Sequence, residues 1–339
     1  MIEIQDLIEG LVYRLKIPMS MEPGYVYAYI VRREDACVMI DAGYPSNEVL
    51  NLLINTIRGI PNCRLGTLII THAHIDHYGL AKRLRDNLGV RLVIHANDHE
   101  QLLKIRDTER FVSEVRELAR EWGVPGSEEA VLVRVAEGFS RRAASLGDLV
   151  FDELLTSDEA VINGLRVVLT PGHSPGHVSI IHSDYKIAFT GDLVLPTITT
   201  HVGLSPINPG NPLLAYFKSL LAIRRMGLRC LYPGHEHEVC NIDERVGELI
   251  NHRVSRLCDA VRALDDGPST VFEVTNRLRW MDNRQYSSLD PVNKYLALTE
   301  TAALIRYLEE LGIIVADSNG RYRVTGHTKC DTGSLVPIQ

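Results

Sequence analysis

The sequence predicts an α/β fold followed by a helical C-terminal domain, and three observations carry that prediction. Apolar strand-like runs alternate with helix-patterned runs through residues 26–232. One stretch, Thr67-Leu68-Ile69-Ile70, then Leu80 to Leu88, then Arg91 to His95, reads as strand, helix and strand, a unit that implies sheets covered by helices. After about Asn241 the strands stop and three helix-like stretches and a short hairpin follow. The chain has 339 residues, more than one core usually serves, so two domains are expected, 1–240 and 241–326, with a tail at 327–339.

The first elements are Val26 to Val31 and Ala36 to Ile40, β-rich runs separated by the polar Arg32-Arg33-Glu34-Asp35, which is a hairpin pattern. Ser46 to Ile60 has helical apolar spacing, with Ser46 as its cap. Leu80 to Leu88 ends at Gly89, a usual helix stop. Residues 97–146 form a charged helical insertion, broken at Gly123-Val124-Pro125-Gly126, of the kind that either walls a substrate pocket or packs on the sheet. Strands return at Leu165 to Thr170, Val178 to His182, Ile187 to Thr190 and Arg229 to Tyr232, with a helix at Leu213 to Met226 before the last. In the C-terminal part, helices at Glu244 to Ala263, Ser269 to Leu278 and Val292 to Leu311 precede Ile313 to Val315, the turn 317–320 and Arg321 to Val324. Three helices and a terminal hairpin describe a winged helix. The polar tail from His327 is expected to be mobile.

Composition narrows the function. The net charge is -7, which gives no support to a general nucleic-acid or membrane-surface binder. No apolar run is long enough to cross a bilayer, and the acidic start Met1-Ile2-Glu3-Ile4-Gln5-Asp6 lacks the features of a signal peptide, so a cytoplasmic protein is expected. Six scattered cysteines without a CxxC pair suggest ordinary thiols in a reducing compartment.

Chemistry is concentrated in Thr71-His72-Ala73-His74-Ile75-Asp76-His77, directly after a buried strand. Residues two apart on extended backbone point the same way, so His72 and His74 can grip one metal. Asp76 and His77 fall where the chain turns into a helix and can face a second. Imidazole with carboxylate suits Zn²⁺, and also Mn²⁺, Fe²⁺ or Co²⁺. Three further fragments end a strand on a ligand residue: Thr170-Pro171-Gly172-His173, Thr190-Gly191-Asp192 and Tyr232-Pro233-Gly234-His235. Their glycines let the backbone crowd close to the ions.

This ligand pattern resembles the metallo-β-lactamase superfamily over residues 10 to 240. The resemblance implies an αββα sandwich with two divalent metal ions, Zn²⁺ foremost, at one rim of the sheets. By the same resemblance His72, His74 and His173 hold the first metal, Asp76, His77 and His235 the second, and Asp192 bridges them. Asp41, in Ile40-Asp41-Ala42-Gly43, matches a family motif whose aspartate supports a ligand, and His177 is read as a supporting or structural residue. The site implies a hydroxide shared by two cations attacking an ester-type bond, with Asp76 orienting it or passing its proton on. His201, Tyr216, Tyr25 and Tyr78 are candidates to line the substrate pocket, whereas His95, His99, His182, His237, His252 and His327 are read as ordinary surface or core residues.

Departures from the family narrow the branch. The β-lactamases of this fold commonly carry cysteine where Asp192 stands, which argues against antibiotic hydrolysis. The helical insertion and winged-helix tail resemble a group containing glyoxalase-like hydrolases and a single-strand-specific endoribonuclease. A small-molecule thioester, lactone or phosphotriester is the favoured substrate. Phosphodiester cleavage in single-stranded nucleic acid is the alternative, and sulfur oxidation at one iron a third reading. The third C-terminal helix sets Lys294 and Arg306 against Glu300, Glu309 and Glu310, so packing or formation of a homodimer is favoured over nucleic-acid contact.

Overall fold

The computed structural model describes residues 2–20, 23–33, 36–326 and 335–336. Glu34, Asp35 and most of the tail, His327 included, lie outside the described residues. Among those described, two sheets pack face to face between layers of helices.

The first sheet holds β1 (Glu3–Ile8), β2 (Val12–Pro18), β3 (Tyr25–Arg32), β4 (Cys37–Ile40), β5 (Leu65–Ile69), β6 (Arg91–His95) and β7 (Glu153–Leu155), in that order. β1 to β4 pair antiparallel and β4 to β7 parallel. The parallel half is built by crossover helices α1 (Asn47–Arg58), α2 (Ile75–Tyr78) and α3 (Ala81–Leu88) and by the insertion: α4 (Ala96–Arg106), α5 (Thr108–Glu121) and α6 (Gly126–Ala144). The second sheet runs β12-β11-β10-β9-β8, from β8 (Glu159–Ile162), β9 (Leu165–Leu169), β10 (Val178–His182), β11 (Ile187–Gly191) and β12 (Cys230–Pro233). Helix α7 (Pro212–Arg225) connects the last two.

The period-two alternation of β3 assigns each face. Tyr27, Tyr29 and Val31 meet Ile180, Ile187 and Phe189 of the opposite sheet, and Val26, Ala28 and Ile30 pack outward against Leu50, Leu53 and Ile57 of α1. Ser46 caps α1 by accepting from the Val49 amide, and Gly89 ends α3 in the left-handed region, as their positions in the sequence suggest.

The C-terminal part supplies α8 (Ile242–Arg262), α9 (Val271–Arg277), α10 (Pro291–Glu310) and a hairpin of β13 (Ile314–Ala316) and β14 (Tyr322–Val324). Their apolar faces join those of α5, α6 and α7 in one continuous core over the outer face of the second sheet. Leu335 is buried in the same core, its carbonyl accepting from the Tyr307 hydroxyl at 2.7 Å. No helix among the described residues is long and apolar enough to cross a membrane.

Two features depart from expectation. The sequence offers no reading of β1 and β2 because β1 is an exposed edge strand with no apolar alternation to detect. The cysteines are not all ordinary thiols, since Cys37 pairs with Cys63 and Cys230 with Cys240 in disulfides. Spacing conceals both pairs. Cys37 and Cys63 meet because β4 lies beside the segment entering β5, and Cys230 and Cys240 because Leu231 bridges Val239 across a tight reversal. The cysteine count therefore no longer argues for a reducing compartment.

Candidate metal centre

The ligand-type side chains picked out by the sequence lie past the ends of strands or in the short helix that follows one, and the strand ends converge. His72 follows β5, His173 follows β9, Asp192 directly follows β11 and His235 follows β12, while His74 caps α2, which carries Asp76 and His77. Backbone bonds hold the loops together: Val178 N–H donates to Thr71 O at 2.9 Å, and Gly234 N–H to Gly191 O at 2.8 Å. Glycine is required at two points of close approach. At Gly172, with φ +138°, a Cβ would stand 2.5 Å from the Tyr216 Cα, and at Gly234 it would meet the His77 ring at 2.6 Å.

The side chains form three overlapping groups whose donor atoms lie within 4.8 Å of one another: His72, His74 and His173; His72, His77 and Asp192; Asp76, His77 and His235. His74 Nδ1 is 2.8 Å from His173 Nε2. Asp192 reaches both sides, with Oδ2 3.7 Å from His173 Nε2 and Oδ1 3.4 Å from His77 Nε2 and 3.6 Å from His235 Nε2. Asp76 Oδ2 is 3.3 Å from His235 Nε2.

The donor set fits divalent cations. His72 Nε2, His77 Nε2 and Asp192 Oδ1 are buried without a hydrogen-bond partner, a costly state for polar atoms that share one small space. Burial, with the neighbouring imidazoles, drives His72 well below its usual range and His74 to about 3, so both rings keep free lone pairs. Burial alone would raise the Asp76 carboxyl, yet His77 and the hydrogen bond from His235 hold it down to about 2. Burial opposes charge on His77 too, but Asp192, Asp76 and Asp41 raise it well above the usual value. The pocket thus carries a concentration of negative charge that a cation would balance.

The far nitrogens are fixed from behind. Asp41 Oδ2 is 2.8 Å from His77 Nδ1, and the Asp41 carboxylate accepts from the amide and the hydroxyl of Thr71, both at 2.8 Å. Asp41 itself sits at φ +62°, a strained position for an aspartate. His235 Nδ1 lies 3.1 Å from Tyr25 O, and His173 Nδ1 lies 2.8 Å from His201 O and 3.0 Å from Thr200 Oγ1. His177 Nε2 accepts from the Asp192 amide at 3.2 Å and its Nδ1 lies 3.0 Å from Thr170 Oγ1.

A cavity of about 360 Å³ opens over His74, Asp76 and His173. Its walls come from Ile105 of α4, Phe139 of α6 and Tyr295 and Leu296 of α10, so the insertion and the C-terminal part enclose it together. Of the four pocket candidates, Tyr78 and His201 line it. Tyr216 and Tyr25 do not. Tyr216 is sealed in the core, donating to Leu193 O at 3.2 Å, because α7 packs on Gly172. The Tyr25 ring packs against Tyr27 and under Lys16, and only its carbonyl serves the site, at His235.

Asp98 escaped the sequence reading. Fully buried at the start of α4, it accepts from Ala73 N at 2.7 Å, Ser174 Oγ at 2.8 Å and Gly176 N at 2.5 Å, and burial raises it to about 6. It thereby ties the loop bearing His72 and His74 to the loop bearing His173. No local pattern marks an aspartate whose partners lie 25 and more residues away.

Comparison with known proteins bears on the same residues. The model of the metallo-beta-lactamase superfamily matches residues 21–235. The chain is similar to a probable metallo-hydrolase, YqjP, of Bacillus subtilis, with 25% identity over 88% of this chain and 92% of that one. It is also similar to an atrochrysone carboxyl ACP thioesterase of Aspergillus fumigatus, with 31% identity over 32% of this chain and 35% of that one. Among solved structures, a metallo-beta-lactamase family protein of Thermus thermophilus superposes with a TM-score of 0.76 at 25% identity, covering 94% of this chain and 100% of that one.

Proposed function

The chain belongs to the metallo-β-lactamase superfamily and is a metal-dependent hydrolase, and from that premise we propose that it cleaves small ester-type molecules, thioesters first among them, with two divalent cations, Zn²⁺ foremost. The observation that carries this reading is the largely apolar cavity directly over His74, Asp76 and His173, a size suited to a small molecule. The likeness to a fungal thioesterase supports the choice of thioester.

His72, His74 and His173 would hold one cation and Asp76, His77 and His235 the other, with Asp192 offering one oxygen to each side. When bound, the cations supply Lewis-acid activation of water and of the acyl oxygen. The protein does the rest. Asp76, ionised and on the cavity floor, orients the attacking water by accepting its hydrogen bond and can carry its proton toward the leaving group. The apolar walls exclude bulk water and strengthen each polar contact within.

The test is to load the purified protein with Zn²⁺ or Mn²⁺ and compare kcat/KM on a thioester, a lactone, a phosphotriester and single-stranded RNA. Preference for a small ester that disappears in His72→Ala supports the reading. Preferential RNA cleavage with the same dependence overturns it in favour of a nuclease.

A further inference from the structure

Most polar groups lining the cavity belong to the ligand loops or are already hydrogen-bonded, and two on its helical walls are not. One is Arg142, exposed at the mouth and one helical turn beyond Phe139 on α6. Nearby cations are already neutralised: Lys104 by Glu114 at 3.2 Å, Arg106 by Asp148 at 3.1 Å and Lys294 by Glu128 at 3.0 Å. Arg142 pairs with no carboxylate among the described residues, and its guanidinium lies over the Tyr44 ring, 4.8 Å from the centroid. The stack fixes the direction of the guanidinium and leaves its in-plane donors available. The other is Gln101 of α4, whose side-chain oxygen is buried on the cavity wall without a hydrogen-bond partner.

We propose that the substrate is an acyl compound with an apolar body and a carboxylate, the body filling the cavity and the carboxylate seated on Arg142, with Gln101 accepting from a donor along its length. This rests on the ester-hydrolase reading above and adds the substrate class to it. A planar fork of N–H donors with one positive charge matches a carboxylate in shape and in charge. The apolar walls favour the body, which a small hydrophilic ester would lack. Arg142 is therefore a specificity residue and takes no part in bond breaking.

The experiment compares the hexanoyl and adipoyl thioesters of N-acetylcysteamine, equal in chain length and differing in the terminal carboxylate, on the metal-loaded protein and its Arg142→Gln and Arg142→Lys variants. The expected preference for the adipoyl ester is about tenfold, the worth of one charge-assisted pair. It collapses in Arg142→Gln and survives in part in Arg142→Lys. Thermal-shift measurements with adipate and hexanoate read the same seat without turnover, and adipate should protect more than hexanoate only while residue 142 is cationic. Hydrolysis of both esters without preference, or a preference that persists in Arg142→Gln, overturns the seat and leaves the ester reading standing. Protection by adipate that depends on Arg142, with neither ester hydrolysed, upholds the carboxylate seat and overturns the ester chemistry. Neither hydrolysis nor protection overturns both.

Discussion

Arg253 of α8 and Glu300 of α10 form a buried ion pair at 3.1 Å, and the second terminal nitrogen of Arg253 donates to the carbonyl of Thr200. Arg256 joins the same carboxylate at 3.0 Å. Thr200 Oγ1 and the neighbouring His201 carbonyl are the groups that fix His173 Nδ1. A ligand of the candidate metal centre is thus held in place from the C-terminal helices.

Replacing Glu300 by Gln should leave two buried guanidinium groups uncompensated. We expect a loss of about 3 kcal/mol in urea unfolding. Affinity for one equivalent of Zn²⁺ should fall as well, because the Thr200 segment loosens behind His173. Stability lost with metal affinity intact would disconnect the triad from the centre.

The same carboxylate predicts a pH dependence. Burial would raise Glu300, but Arg253 and Arg256 hold it at about 2, below the usual 4.5. A depressed carboxyl adds stability that is complete above the unfolded value and is lost as pH falls toward the folded one. The stability difference between the parent and Glu300→Gln should therefore shrink from about pH 4.5 downward and be largely gone near pH 2. Denaturation curves of both proteins at stepped acid pH check this.

Asp41→Asn should weaken metal binding about 10- to 100-fold without unfolding the protein, because the amide cannot reproduce both the His77 contact and the paired bonds from Thr71. Competition with a chelator of known affinity measures it, and an unchanged constant would remove Asp41 from any supporting role.

Asp98→Asn turns one of two accepting oxygens into a donor facing N–H and O–H groups. We expect about 2 kcal/mol of destabilisation from the stranded donors. Amide hydrogen exchange should rise at Ala73 or at Gly176, whichever faces the new amide nitrogen, and the absence of change at both would disprove the tie between the loops.

The candidate ligand residues were legible because each lies within a few residues of an apolar strand end, where a short motif records both the strand and the donor. His72, His173, Asp192 and His235 could be read in that way. The supporting residues differ in kind. Asp98, Arg142 and the Arg253–Glu300–Arg256 cluster take their meaning from elements far away in the chain, and their neighbours in sequence are ordinary helix residues. Tyr216 misled for the opposite reason: it was read as a pocket residue, but the helix that carries it packs on Gly172 and closes the space. Edge strand β1 buries none of its side chains, so no burial pattern was written into it.

The floor of the cavity is made of the ligand loops and its sides of α4, α6 and α10, which hold no candidate ligand. Reactivity and discrimination are therefore inherited separately. Substitutions along the inner face of α6, at Phe139 or Arg142, can retune which molecules enter without touching the candidate metal ligands, so descendants of this chain could change diet while keeping the same chemistry.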